Sequence, residues 1–99
     1  MYEELYVAWR RERESAEIQT LPRDFFAVLA QYVRRLREES RMLDEKTVRA
    51  RLLLREARNV KRVARELIQL RYGKVLGRAV AGGVVSGGSL TEEEERLYG

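Results

Sequence analysis

Apolar residues recur at the spacing of an α-helix in three successive segments, and this periodicity constrains the fold more than any other feature of the chain. The apolar stripes consist of Tyr2, Leu5, Tyr6 and Trp9; of Phe25, Leu29, Tyr32, Val33 and Leu36; and of Leu53, Val60, Val63, Ala64 and Leu67. Because residues three and four apart share one face of a helix, the stripes predict helices over about 2–15, 22–42 and 45–72. The chain is also rich in Leu, Ala, Glu and Arg and contains a single proline. We therefore predict an all-α helical bundle with a long, central third helix.

Proline, aspartate and glycine residues indicate where these helices begin and end. Pro22 suits the first position of the second helix, and Asp44 is the predicted cap of the third. Gly73 predicts a stop or a bend, after which a short helical piece continues over about 74–81.

The last part of the chain combines a glycine-rich stretch with a capping motif. Residues 82–89 contain four glycines and two serines, which is typical of a flexible loop. Thr91 and Glu94 have the spacing of a capping box, so a last short helix is expected through Tyr98. The sequence thus predicts about five helices in a single domain over residues 1–99.

The composition gives no support for an enzyme. The chain lacks both histidine and cysteine, which removes the commonest general base and all thiolate chemistry. Gly82 and Gly87 have the spacing of a phosphate-binding loop, but Gly88 stands where that loop needs lysine. Glu92 and Glu95 are better explained as the exposed start of a capped helix than as an acid–base pair. We predict no catalytic, cofactor-binding or metal-binding residue, and the apolar runs are too short to span a membrane.

The long third helix carries most of the positive charge. The chain has a net charge of +4, and residues 46–78 hold 11 of its 20 basic side chains. At 100° per residue, five arginines form a basic stripe opposite the apolar side: Arg51, Arg55, Arg58, Arg62 and Arg65. Such a stripe is typical of a solvated helix face, and the alternative is a contact with nucleic acid phosphates.

Two charged residues of the same helix break this pattern. Glu56 and Arg71 point toward the apolar side, among Val60, Val63 and Leu67. A buried charge without a partner costs several kcal/mol, so each needs one. The two are about 22 Å apart along a helix and cannot pair with each other. Each must therefore meet another helix or another subunit, unless it lies at the edge of the apolar face and reaches water.

The order of several short motifs resembles the GINS family of DNA replication factors. The similar stretches are Leu21-Pro22-Arg23-Asp24-Phe25-Phe26, Glu56 with Asn59, Arg71 followed by Lys74-Val75, and Leu90-Thr91-Glu92-Glu93-Glu94. They resemble the family's L-P-x-D-F-[FY], the acidic position of its long helix, its R-x-x-K-[IV] ending and its L-T-x-x-E start of the last helix. The resemblance covers about residues 5–98 and is closest to archaeal subunits in which the helical domain comes first.

Membership in this family implies a non-enzymatic scaffold in chromosomal DNA replication. GINS subunits assemble into tetramers, in archaea from one or two subunit types, and link the MCM replicative helicase to a Cdc45- or RecJ-like protein and to primase or DNA polymerase. A small β-rich domain follows the helical domain in some subunits. This sequence reaches Gly99 without a strand-like segment, so we expect only the helical domain. The resemblance also implies the archaeal cytoplasm at the replication fork, or the nucleus in a eukaryote.

The residues expected to build the fold and its interfaces come from the stripes and from the family motifs. They are Tyr2, Leu5, Tyr6, Trp9, Phe25, Phe26, Glu56, Asn59, Arg71 and Lys74. The alternative function is a small basic helical module that binds DNA through the basic stripe, and a small enzyme is the second alternative.

Overall fold

The predicted all-α fold is confirmed by a computed structural model of the chain, which describes residues 1–82 and 87–98. The described part forms four α-helices and contains no strand. The helices are α1 (Tyr2–Glu14), α2 (Phe25–Arg41), α3 (Val48–Val80) and α4 (Glu92–Tyr98), with a 3₁₀ helix at Gly87–Ser89 before α4.

The long third helix runs through Gly73 without a break, so the predicted stop or bend there is wrong. The expected separate piece over 74–81 is the last part of α3. Gly73 keeps the helical conformation, and the helix ends instead near Gly82, whose φ of 80° is the left-handed conformation that terminates helices. At 1.5 Å per residue, the 33 residues of α3 span about 50 Å. The helix therefore reaches along nearly the whole 54 Å length of the molecule.

The starts of α2 and α3 lie three residues later than predicted. Thr47, rather than Asp44, caps α3, and its side chain accepts a hydrogen bond from the Ala50 amide at 3.2 Å. The Asp44 carboxylate instead accepts from the Lys46 amide, in the turn before the helix. Pro22 is not the first residue of α2, because the chain turns through residues 22–24 before the helix begins. The ends predicted for α1 and α4 agree with the structure to within one residue.

The helices α1 and α2 both pack against α3, so α3 is the element of the core that both of the others contact. The buried apolar side chains of this core are Leu5, Ala8, Leu21, Phe25, Leu29, Val33, Leu36, Ala57, Val60, Val63 and Leu67. Eight of these eleven residues belong to the three predicted stripes, whereas Ala8, Leu21 and Ala57 were not predicted. Leu53 and Ala64 of the third stripe are partly buried and packed against the core. The core thus takes one apolar face from each of the three helices.

The predicted flexible loop over 82–89 is only partly described. Residues 83–86 lie outside the described part of the chain, so the prediction of a flexible loop stays a prediction there. Residues 87–89 form the 3₁₀ helix, and the Ser89 carbonyl accepts hydrogen bonds from the Leu21 amide and from Arg71. The end of the predicted loop is therefore tied into the fold. No helix in the described residues is both long and apolar enough to cross a membrane.

Candidate functional site

Arg71 lies at the centre of a buried ionic cluster between α3 and the two ends of the chain. Its side chain is 0% exposed, and all five of its N–H groups donate hydrogen bonds. Nε and one terminal nitrogen bind both oxygens of Glu94, at 2.8 and 2.7 Å. The remaining N–H groups bind Glu12 Oε1 at 2.7 Å and the carbonyls of Gln19 and Ser89 at 2.6 and 2.8 Å. The planar guanidinium therefore joins α1, the segment after it, α3 and α4.

Lys74 completes this cluster one turn further along α3. Its ammonium group donates to Glu12 Oε2 and to the Glu12 carbonyl, both at 2.6 Å, and to the Glu17 carbonyl at 3.0 Å. The Gln19 amide donates to the same Glu12 carboxylate oxygen at 3.1 Å. We name Arg71, Lys74, Glu12 and Glu94 the Arg71 cluster. Its two positive and two negative charges balance, which is the condition under which buried charges are tolerated.

Glu94 has a second role, because it also closes the predicted capping box. The Thr91 amide donates to Glu94 Oε1 at 3.0 Å, and the Glu94 amide donates to the Thr91 hydroxyl at 3.3 Å. Both residues are buried. The start of α4 is also held to the segment before α2, through the Glu92 amide on the Arg23 carbonyl and the exposed Arg23–Glu95 ion pair. The capping box predicted from the sequence is confirmed.

The electrostatics of the Arg71 cluster are those of a structural site. Burial alone would lower the pKa of the Arg71 guanidinium. The hydrogen bonds and attraction from Glu94, and then from Glu12, outweigh that effect and raise the pKa above its ordinary value. Among the described residues, every buried side-chain nitrogen or oxygen has a hydrogen-bond partner. The cluster therefore presents no unsatisfied donor or acceptor to a ligand, and its contacts hold together α1, the segment after it, α3, the 3₁₀ helix and α4.

Glu56, the other charged residue on the apolar side of α3, also meets a neighbouring helix. It is half-buried and accepts a hydrogen bond from the hydroxyl of Tyr32 on α2. Burial of Tyr32, together with this hydrogen bond, raises the pKa of its phenol to about 12. Asn59, three residues further along α3, is half-buried. Glu56 and Arg71 thus find their partners within one chain, rather than in another subunit.

The aromatic residues predicted for α1 lie along the side of the core. Tyr2, Tyr6 and Trp9 are half-buried and packed against it, with the Tyr2 and Tyr6 rings 4.9 Å apart. The Tyr2 hydroxyl donates to the Tyr6 hydroxyl, and this hydrogen bond raises the pKa of Tyr2. Trp9 meets Tyr6 edge to face, and the Arg13 guanidinium lies 4.6 Å from its ring centre. These contacts make the aromatic set an extension of the core.

The remaining predicted core residues differ in how deeply they are buried. Leu5 is fully buried and Phe25 nearly so, whereas Phe26 is half-buried and stacks edge to face on Phe25 at 5.4 Å. Phe26 also lines a surface groove between α2 and α3.

All five arginines of the basic stripe are exposed on α3. Arg62 lies 3.7 Å from Glu66, one turn further on, so one stripe residue is paired at the surface. Arg51 and Arg58 donate to the carbonyls of Lys46 and Leu54. The stripe is therefore a solvated face, as the periodicity predicts, and its positive charge is only slightly offset.

Two apolar surface features were not identified from the sequence. The first is the groove between α2 and α3, with a volume of about 620 Å³. The second is an apolar strip on the last turns of α3, where Tyr72, Leu76 and Val80 are 49%, 50% and 83% exposed. These residues are spaced by four, so their side chains follow one another along the helix surface. The spacing of four is present in the sequence, but the predicted stop at Gly73 assigned Tyr72 and Leu76 to different helical segments.

Comparison with protein-family models, with curated proteins and with solved structures finds no match to this chain. The described residues also contain no group of acidic side chains placed to hold a metal ion. The candidate functional features that the described residues do show are the basic stripe, the apolar strip and the groove between α2 and α3.

Proposed function

We propose that this chain is a non-enzymatic assembly subunit of a GINS-like DNA replication complex, joined through helix faces to copies of itself or to a related subunit. In this role the tetramer links the MCM helicase to a Cdc45- or RecJ-like protein and to primase or DNA polymerase, in the cytoplasm of an archaeon. The observation that carries the proposal is the apolar strip of Tyr72, Leu76 and Val80. Aligned apolar side chains that remain exposed mark surfaces that bind other proteins.

The arrangement of the family-like motifs supports this assignment. Arg71 and Lys74, the end of the long-helix motif, meet Thr91 and Glu94 of the last motif around one buried cluster. The L-P-x-D-F-like stretch adjoins the same place, because the Leu21 amide donates to the Ser89 carbonyl. Motifs far apart in the sequence thus depend on one another in the fold, as expected if they belong to one domain.

The absence of cysteine from the sequence allows the apolar strip to be tested with a single introduced thiol. Leu76→Cys places the thiol on the strip, and Leu97→Cys is the control, since Leu97 is exposed on α4. We expect the thiol at position 76 to react several-fold more slowly with a soluble thiol reagent when the protein concentration is raised, because assembly covers the strip. The thiol at position 97 should react at one rate throughout. Equal rates at position 76 at all concentrations would contradict assembly through this surface.

The alternative of a DNA-binding module is favoured by one observation, the exposure of all five arginines of the basic stripe. Aligned guanidiniums can follow a phosphate backbone without reading base sequence. Titration with specific and scrambled duplexes at several salt concentrations distinguishes the two functions. Tight binding at physiological salt that falls steeply as salt rises, with similar affinity for both duplexes, would favour the DNA-binding module.

A further inference from the structure

The groove between α2 and α3 combines an apolar floor with a basic rim. It is lined by Phe26, Leu29, Ala30, Val33, Arg34, Arg37, Val60, Lys61, Ala64, Arg65 and Ile68. Seven of these side chains are apolar and four are cationic, and none of them is acidic. We name this feature the α2/α3 groove. Ile68 of its lining lies one helical turn before Tyr72, so the groove borders the apolar strip.

The four cations of the rim come in two pairs from the two helices. Arg34 and Arg37 project from α2, and Lys61 and Arg65 project from α3. All four are exposed, and none forms an ion pair with another residue in the described part of the chain. Four exposed cations around one groove, with no acid in its lining, favour an acidic partner over a basic one.

We propose that the α2/α3 groove binds an acidic amphipathic helix of a partner protein. The apolar face of that helix lies on the floor, and its acidic flanks meet the cations on each side. From Val60 to Ile68 the floor extends eight residues along α3, about 12 Å, which matches two to three turns of a bound helix. A third helix laid across two packed helices is a common way of completing a bundle and a common mode of peptide recognition.

The apolar floor distinguishes this occupant from nucleic acid. Phosphate binding needs donors that converge on the ligand, whereas the apolar lining that reaches the surface comes from Phe26, Ala30, Ala64 and Ile68. A sugar–phosphate backbone would leave that apolar surface uncovered, but the leucines of an amphipathic helix would bury it. The rim charges then determine which amphipathic helices bind, because a basic helix is repelled.

Binding can be measured with synthetic peptides by fluorescence anisotropy. The probe is a fluorescein-labelled peptide of about 14 residues, about 21 Å as a helix, with leucines on one face and glutamates on both flanks. A second peptide carries lysine in place of every glutamate, and a third carries serine in place of every leucine. We expect the first peptide to bind at least about tenfold more tightly than either of the others at low salt, and to weaken as salt rises.

Neighbouring residues on α2 supply matched variants. Ala30→Trp fills the groove, and Ala27→Trp adds the same side chain at an exposed position that does not line it. Arg34→Glu reverses a rim charge, and Arg35→Glu reverses an exposed charge next to it, outside the lining. We expect Ala30→Trp and Arg34→Glu each to weaken binding of the acidic peptide by about tenfold or more, whereas Ala27→Trp and Arg35→Glu leave it within about twofold. Circular dichroism verifies that all four variants are folded.

Three results would overturn the assignment. Equal affinity for the acidic and lysine peptides would remove the charge argument, and equal binding by the Ala30 and Ala27 variants would place the site elsewhere. Binding of a short duplex DNA that is lost in Ala30→Trp, without binding of the acidic peptide, would assign the groove to nucleic acid. The outcome is independent of subunit assembly, since the thiol at position 76 reports on the apolar strip and these variants leave that strip unchanged.

Discussion

Removing Arg71 should destabilise the protein more than any change on the basic stripe. In Arg71→Ala, the carboxylates of Glu12 and Glu94 stay buried but lose all three of the hydrogen bonds that Arg71 donates to them. Glu12 keeps Lys74, and Glu94 keeps only the Thr91 amide. Breaking a buried ion pair by removing one partner costs about 3–5 kcal/mol. Because a domain of this size is stable by about 5–15 kcal/mol in total, this change removes at least about a fifth of that stability.

The measurement is the free energy of unfolding in urea, followed by circular dichroism. Arg58→Ala removes an exposed arginine of the same helix and should cost less than about 1 kcal/mol. Glu56→Ala should fall between the two, at about 1–2 kcal/mol, because Tyr32 loses its half-buried acceptor. Adding Glu94→Gln to Arg71→Ala should recover part of the loss, since it removes the uncompensated charge. Equal stability of the Arg71 and Arg58 single variants would refute the reasoning.

Other features of the structure give three further predictions. A methyl group added at Gly73 meets no atom within 4 Å apart from the neighbouring backbone of its own helix, so Gly73→Ala should stabilise α3 by about 0.5–1 kcal/mol, and a lowered melting temperature would contradict this. The raised pKa of Tyr32, about 12, implies a stabilisation that is complete below pH 10 and is lost as the pH rises from about 10 to 12. Tyr32→Phe should therefore leave the tyrosinate absorbance gained up to pH 11 unchanged, and a loss of one tyrosine's signal there would disprove the shift. If five stripe arginines contact phosphates, log K for duplex DNA should fall with log salt at a slope of about −4.5, and Arg58→Ala should reduce that slope by about 1; a salt-independent affinity would exclude this mode.

Helix periodicity was sufficient to predict most of the core, although Ala8, Leu21 and Ala57 were missed. Each predicted stripe supplies one wall of it, because residues three and four apart share a helix face whatever the tertiary context. The same periodicity placed Arg71 and Glu56 on the apolar side of α3, where Arg71 is completely buried and Glu56 is half-buried. Capping rules predicted the Thr91–Glu94 pair for a similar reason, since both groups belong to one helix turn.

The sequence was less informative where the structure depends on distant partners. Glu12 was not recognised as a partner of Arg71, although it continues the Leu5–Ala8 stripe and is buried like them. An acid at that position indicates a buried cation nearby, but not which one of twenty. The prediction of a helix end at Gly73 was wrong because glycine occurs both at helix ends and within helices. The tertiary contacts of the residues before and after it decide whether the helix stops or continues. The α2/α3 groove depends on how two helices approach each other, which no local pattern specifies.

The mass of the chain in solution tests the proposed assembly most directly. Sedimentation equilibrium over a range of concentrations distinguishes the 11.6 kDa monomer from a tetramer of about 46 kDa. We expect the larger mass for the chain, alone or mixed with a related subunit, and we expect Leu76→Asp on the apolar strip to reduce it toward the monomer. Leu97→Asp on α4 should leave it unchanged. An 11.6 kDa species that persists at the highest concentration, with and without a related subunit, would contradict the account.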